Sequence, residues 1–166
     1  MANISLLLFD RDGVLNQNPS DEGYVLSASE LIINTGVINQ IAKLPKDIEI
    51  ACVTNQQCVG KKLLDPGDLY KINSAISNSI VQAGGKEIEF FVCPHLAILN
   101  CDCRKPKPGL ILKAMKRFSK TPNETLFIGD KVTDAMAASA AKVKFAFTDG
   151  EVKTKAIINS LLTAKS

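Results

Sequence analysis

The chain has 166 residues, a length that fits one domain and buries roughly two thirds of its unfolded surface without help from disulfides. Its net charge of +3 is mild and lacks the basic runs of a nucleic-acid binder. No apolar stretch approaches the roughly 18 residues needed to cross a bilayer, so no membrane partner is expected.

No basic segment precedes the first hydrophobic run, which Asp10 soon breaks. A signal peptide is therefore not expected, and the expected compartment is the cytoplasm. A monomer is expected.

In chain order, Ser5 to Phe9 reads as a buried strand that delivers Asp10-Arg11-Asp12-Gly13 to its C-terminal end. Open α/β sheets place their active sites there. Two carboxylates held so close to an apolar strand need a cation or a proton between them, which points to hydrolysis assisted by a metal ion. Gly13 permits the sharp turn that lets both acids approach one ligand. Asn16 to Ser29 reads as a polar loop, too short for a separate cap domain, so the mouth of the site is expected to be open.

A short amphipathic helix follows near Val37, Ile38, Ile41 and Leu44, and then a strand from Glu49 to Val53. Asp68 to Ala83 carries Leu69, Ile72, Ile76 and Ile80 at helical spacing and stops at Gly84-Gly85. Ile88 to Val92 is the third expected strand, and Pro108 to Phe118 a helix opened by its proline. Leu126 to Ile128 and Val143 to Phe147 are the fourth and fifth strands, with an alanine-rich helix from about Asp134 to Ala141 between them. A last helix lies near Thr154 to Leu162. Strand alternating with helix at this pitch predicts an α/β three-layer sandwich around a mostly parallel sheet, over 1–166 as a single unit.

Four features carry chemistry. Of Asp10 and Asp12, one carboxylate can attack phosphorus while the second protonates the leaving oxygen and later activates water. Thr54-Asn55-Gln56, directly behind a strand, supplies a hydroxyl and amides suited to phosphate oxygens, although a helix cap or turn reads equally well. In Arg104-Lys105-Pro106, Lys105 suits an inward point charge that holds a phosphoryl group, and Arg104 can fork onto a second phosphate or a sugar hydroxyl. Asp130, at the end of the fourth strand, is placed to share Mg²⁺ with Asp10. Asp134 can meet the metal through water, orient another group or favour the start of its helix.

These features in this order resemble the haloacid-dehalogenase-superfamily phosphatases, whose four motifs match Asp10-x-Asp12, Thr54, Lys105 and Asp130 with Asp134. The resemblance implies a fold without a large cap domain. It also implies Asp10 as nucleophile of an aspartyl-phosphate, with Asp12 as general acid/base that gives Mg²⁺ its backbone carbonyl. Thr54 and Lys105 would bind the phosphoryl group and Asp130 would complete the magnesium site.

Of five cysteines, three fall within 11 residues beside the one histidine. Cys93, His95, Cys101 and Cys103 make a complete structural zinc set with no open position, a staple over 93–103 that aims Arg104 and Lys105 into the site. Cys52 is read in a strand and Cys58 in a loop. This cluster narrows the resemblance to the D-glycero-D-manno-heptose 1,7-bisphosphate 7-phosphatase family and its histidinol-phosphate phosphatase relatives. Further matches are Phe9 to Asn16, Gly23-Tyr24-Val25, Val53 to Gln56 and Gly129-Asp130-Lys131.

The resemblance implies removal of the C7 phosphate from a heptose bisphosphate for bacterial lipopolysaccharide or surface-glycan precursors. It sets Arg104 toward the remote phosphate or sugar and Lys131 beside the metal. The family's usual Ser-Gly and arginine-glycine run is replaced here by Gln57 to Lys62, with Lys61 or Lys62 in the arginine's place. Histidinol phosphate is the alternative substrate, which needs an acidic recess from residues such as Asp21, Glu22 or Asp102. A zinc-stapled binding module without activity is a third reading, disfavoured because Asp10, Asp12, Lys105 and Asp130 are all present.

Overall fold

The computed structural model describes residues 4–19 and 23–163, so Asp21 and Glu22 lie outside the described residues. Strand β1 (Leu6–Phe9) has four apolar residues, all fully buried, because it runs through the middle of the sheet. Strands β2 (Glu49–Asn55) and β4 (Thr125–Gly129) pair with it on either side. Strands β3 (Glu89–Cys93) and β5 (Lys144–Phe147) form the edges. The order is β3-β2-β1-β4-β5 and every strand pairing is parallel. A parallel sheet must be covered on both faces, which explains its continuous apolar runs.

Alternate residues serve the two faces. Leu7 and Phe9 pack with Ile50, Cys52 and Ile128 beneath α1 (Thr35–Ile41), α3 (Pro66–Gln82) and α6 (Glu151–Thr163). Leu6 and Leu8 pack with Ala51, Val53 and Phe127 beneath α4 (Gly109–Phe118) and α5 (Val132–Ala140). Each such leucine contributes roughly 1.5–3 kcal/mol relative to exposure.

Helix α3 starts where Asp65 accepts the Gly67 N–H at 2.7 Å, with Pro66 in its first turn. Its buried stripe is Leu69, Ile72, Asn73, Ile76 and Ile80, an apolar face with one amide inside it. Pro108 precedes the first residue of α4, and Lys116 and Arg117 lie in its last turn, opposite the helix dipole's negative end.

Several expectations need correction. The alanine-rich helix begins at Val132, not Asp134, because Asp134 Oδ2 accepts the Lys131 N–H at 3.1 Å and caps the turn ahead of it. Cys58 lies in a four-residue helix, α2 (Gln57–Gly60), rather than in a loop. The polar segment after β1 is not free where described. Val25 is buried against Cys58, Leu64, Leu69 and Ile72, and Tyr24 Oη accepts from Gln57 Nε2 at 2.9 Å and Lys61 Nζ at 3.0 Å. Residues 28–30 form one 3₁₀ turn.

Candidate active site and metal-binding loop

At the C-terminal end of β1 the ladder continues one residue further, the Asp10 N–H donating to Ile128 O at 3.0 Å. The chain then turns sharply, and Arg11 O accepts from the N–H groups of Val14, Leu15 and Asn16. Gly13 sits at φ +89°, and a Cβ there would run into the Asp130 carboxylate. The glycine is therefore required both by the backbone and by the approach of β4's terminal acid.

Lys105 is the buried hub. Its Nζ lies 2.9 Å from Asp10 Oδ1 and 2.7 Å from Asp134 Oδ1 as ion pairs, and donates to Val53 O at 2.9 Å. Burial opposes its charge, but Asp10 and Asp134 outweigh burial and hold its pKa above the ordinary lysine value. Burial raises the Asp10 pKa against the pull of Lys105. Asn55 clamps the same lysine through the backbone, donating from Nδ2 to Lys105 O and accepting from Lys105 N, both at 3.1 Å. One N–H and the oxygen of its amide are thus engaged by Lys105.

Asp12 faces donors only. Arg11 reaches it from Nε at 3.2 Å and Nη2 at 3.0 Å, Asn16 Nδ2 at 3.0 Å and Gln56 Nε2 at 2.9 Å. Burial acts to raise its pKa, but Arg11 and the two amides prevail and leave it below the ordinary carboxylate value. Gln56 Nε2 also donates to Thr54 Oγ1 at 2.9 Å, so the Gln56 side chain bridges two site groups instead of facing outward. Thr54 is buried at the end of β2.

The residues fit a magnesium ion. Oxygens of Asp10, Asp130 and Asp134 lie within 4.8 Å of one another. Asp130 Oδ1 is buried without a hydrogen-bond partner among the described residues, while its Oδ2 accepts from Asn18 Nδ2 at 3.0 Å. Burial and, after the opposing Asn18 bond, the nearby Asp10 raise the Asp130 pKa; hard oxygen donors of this kind suit magnesium. Lys131, the next residue, is exposed. Arg104 Nη1 is buried with no partner among the described residues. A recess of about 520 Å³ beside Asp130 is lined by Asn18, Phe147, Asp149 and Glu151 among others. A larger groove of about 760 Å³ runs along β3 and α3, away from the carboxylates.

The four metal-set residues converge as the spacing predicts. Cys93 Sγ lies 3.6 Å from both His95 Nδ1 and Cys101 Sγ; Cys103 Sγ lies 3.2 Å from His95 Nδ1 and 3.5 Å from Cys101 Sγ. A tetrahedral ion with bonds of about 2.3 Å needs sulfur–sulfur edges of about 3.7 Å, close to these values and far from a disulfide. A Cβ on Gly109 would strike Asp102 O, so the loop rests directly on the start of α4. Ile98 and Leu99 form an exposed apolar tip, and Asp102 is exposed beside Lys107. Residues that motif reading passed over are Arg11, fully buried behind Asp12, and Asn73, whose Oδ1 accepts from Arg11 Nη1 at 3.2 Å. The signal for Asn73 was one amide in the apolar stripe of α3.

A family model described as haloacid dehalogenase-like hydrolase matches residues 96–148. The chain is 36% identical over 138 residues to a D-glycero-beta-D-manno-heptose-1,7-bisphosphate 7-phosphatase of Neisseria meningitidis, covering 82% of this chain and 73% of the relative. A protein of that name from Photorhabdus laumondii is 30% identical, over 95% of this chain and 92% of its own length. The crystal structure of D,D-heptose 1,7-bisphosphate phosphatase from B. bronchiseptica, complexed with magnesium and phosphate, superposes with a TM-score of 0.88. It has 27% identity and covers 97% of this chain and 99% of that one. With its buried carboxylates, buried lysine and cysteine–histidine loop in this arrangement, the chain belongs to the heptose-bisphosphate 7-phosphatase family of haloacid-dehalogenase-like hydrolases.

Proposed function

We propose that the chain is a magnesium-dependent phosphomonoesterase that removes the 7-phosphate of D-glycero-beta-D-manno-heptose 1,7-bisphosphate, leaving the 1-phosphate. The observation that carries the chemistry is the sealed Asp10–Lys105 pair beside the unpartnered oxygen of Asp130. Names of the relatives in Neisseria and Photorhabdus support the substrate and its anomer.

In the first step an Asp10 oxygen attacks phosphorus, the bond to the sugar oxygen breaks, and Asp12 gives that oxygen a proton. Water then attacks the aspartyl-phosphate and passes a proton to Asp12, and the phosphorus–Asp10 bond breaks to release phosphate. Lys105 and Thr54 hold the phosphoryl oxygens through both steps. Asp10, Asp130 and the Asp12 carbonyl would hold magnesium, which when bound offsets the negative charge gathered by nucleophile and phosphoryl group. The unpartnered Arg104 Nη1 supports a role for that guanidinium on the remote phosphate or the sugar.

Zinc is the metal proposed for Cys93, His95, Cys101 and Cys103, since three thiolates and an imidazole in a closed tetrahedron suit it. Residues 1–166 act as one unit, a monomer in the cytoplasm serving lipopolysaccharide or surface-glycan precursor synthesis. The test is kcat/KM with Mg²⁺ for both heptose bisphosphate anomers, histidinol phosphate and small sugar phosphates. The β-anomer is expected to lead; a preference for histidinol phosphate over both anomers overturns the substrate.

A further inference from the structure

Arg11 is an unusual residue to find fully buried, because an unpaired guanidinium inside a protein is strongly disfavoured. Its two ends explain its position. On one side Nε and Nη2 grip the Asp12 carboxylate; on the other Nη1 donates to Asn73 Oδ1. Asn73 is held by α3, a 17-residue helix anchored in the core through Leu69, Ile72, Ile76 and Ile80. The amide interrupts an apolar stripe, and its polar oxygen is spent on Arg11 alone among the contacts described.

We propose that Asn73 and Arg11 are positioning residues for the acid/base step: a buried strut from α3 that fixes the rotamer of Asp12. The proposal rests on Asp12 acting as general acid in the reaction above. Geometry supplies the reason for a strut. Asp12 Oδ2 and Thr54 Oγ1 share one nitrogen, Gln56 Nε2, at 2.9 Å from each, so the carboxylate stands next to a phosphoryl-binding hydroxyl. Every protein group bonded to Asp12 is a donor, from Arg11, Asn16 or Gln56. These bonds fix one orientation of the carboxylate toward the substrate oxygen. Releasing Arg11 from Asn73 lets the guanidinium shift and turns Asp12 away from that oxygen.

The test uses leaving-group demand. A sugar alkoxide needs a proton as it leaves, whereas p-nitrophenolate leaves as a stable anion, and kcat/KM reports the steps through this bond cleavage. Full-length protein with Mg²⁺ is assayed on heptose 1,7-bisphosphate and p-nitrophenyl phosphate, as wild type, Asn73→Leu and Asn73→Asp.

For Asn73→Leu the ratio of sugar-phosphate to aryl-phosphate kcat/KM is expected to fall by about 10- to 100-fold, a fraction of the range for general acid catalysis. Asn73→Asp, which keeps an acceptor for Arg11, is expected to restore the ratio to within about 3-fold. Equal losses on both esters, or no loss on either, overturn the strut. A wild type active on p-nitrophenyl phosphate but not on any sugar phosphate overturns the substrate instead, and one inactive on every ester overturns the phosphatase reading and the strut with it. Should Asn73→Leu fail to fold, Asn73→Ser carries the same expectation of a lowered ratio and the same overturning outcomes.

Discussion

Asp134 Oδ1 stands 2.7 Å from Lys105 Nζ, and both side chains are sealed from solvent. The second oxygen of Asp134 caps α5 through the Lys131 N–H, so one carboxylate joins the start of a helix to the lysine of a distant loop. Replacing it by asparagine removes one of two charges that balance Lys105. Asp134→Asn is expected to cost about 3 kcal/mol, the low end for breaking a buried pair because Asp10 remains. Urea unfolding midpoints check the stability, and KM for the phosphate ester is expected to rise at the same time.

Asp10→Asn is expected to leave the fold intact and to lower turnover by at least about 10³-fold, because an amide is not a nucleophile and no phosphoenzyme can form. Acid quenching during turnover, followed by mass measurement, should find a phosphorylated chain in wild type and none in the variant. Substantial turnover by a contamination-free preparation of Asp10→Asn removes the residue from that role.

The pH dependence of stability follows from Asp12. Its folded pKa is depressed below the ordinary value of 3.8, so its contribution is present above that value and is lost as pH falls through the folded pKa. Asp12→Asn leaves buried Arg11 without its counter-charge and is expected to cost about 3 kcal/mol near neutral pH. The gap between variant and wild type should narrow below pH 3.8. Urea titrations between acid and neutral pH measure this, and a gap that widens toward acid contradicts the assignment.

Elemental analysis of reduced protein purified without added metal is expected to find close to one zinc per chain. Stripping it is expected to lower the thermal midpoint on the order of 10 °C. That figure corresponds to about 4 kcal/mol for a metal saturating at about a thousand times its Kd. Cys101→Ser should mimic the stripped protein. Consistent absence of metal, or an unchanged midpoint after chelation, removes the staple.

Much of this architecture could be read from the chain because its signals are local. The five strands are short apolar runs closed by polar residues, and α3 shows its stripe at a single glance along 69–80. Boundaries moved by a residue or two where a cap decides them, as at Asp134. Helix α2 escaped because four residues show no periodicity, and Cys58 was misplaced with it. The ligands of the metal loop were legible because both spacing and residue type are restricted there. Arg11 and Asn73 were not, since their meeting depends on how α3 lies across the sheet, 62 residues away in sequence. Strand β2 runs two residues past the expected end at Val53 and takes in Thr54 and Asn55, with Gln56 just beyond it, and which neighbour each amide would engage depended on tertiary placement alone.

The central place of β1 in the order β3-β2-β1-β4-β5 has a consequence for how such a catalyst can diverge. Asp10, Asp12, Thr54 and Asp130 all hang from the three innermost strands or the residues just beyond them. Those strands pair on both sides, so a change of backbone at any of the four residues is felt by the whole sheet.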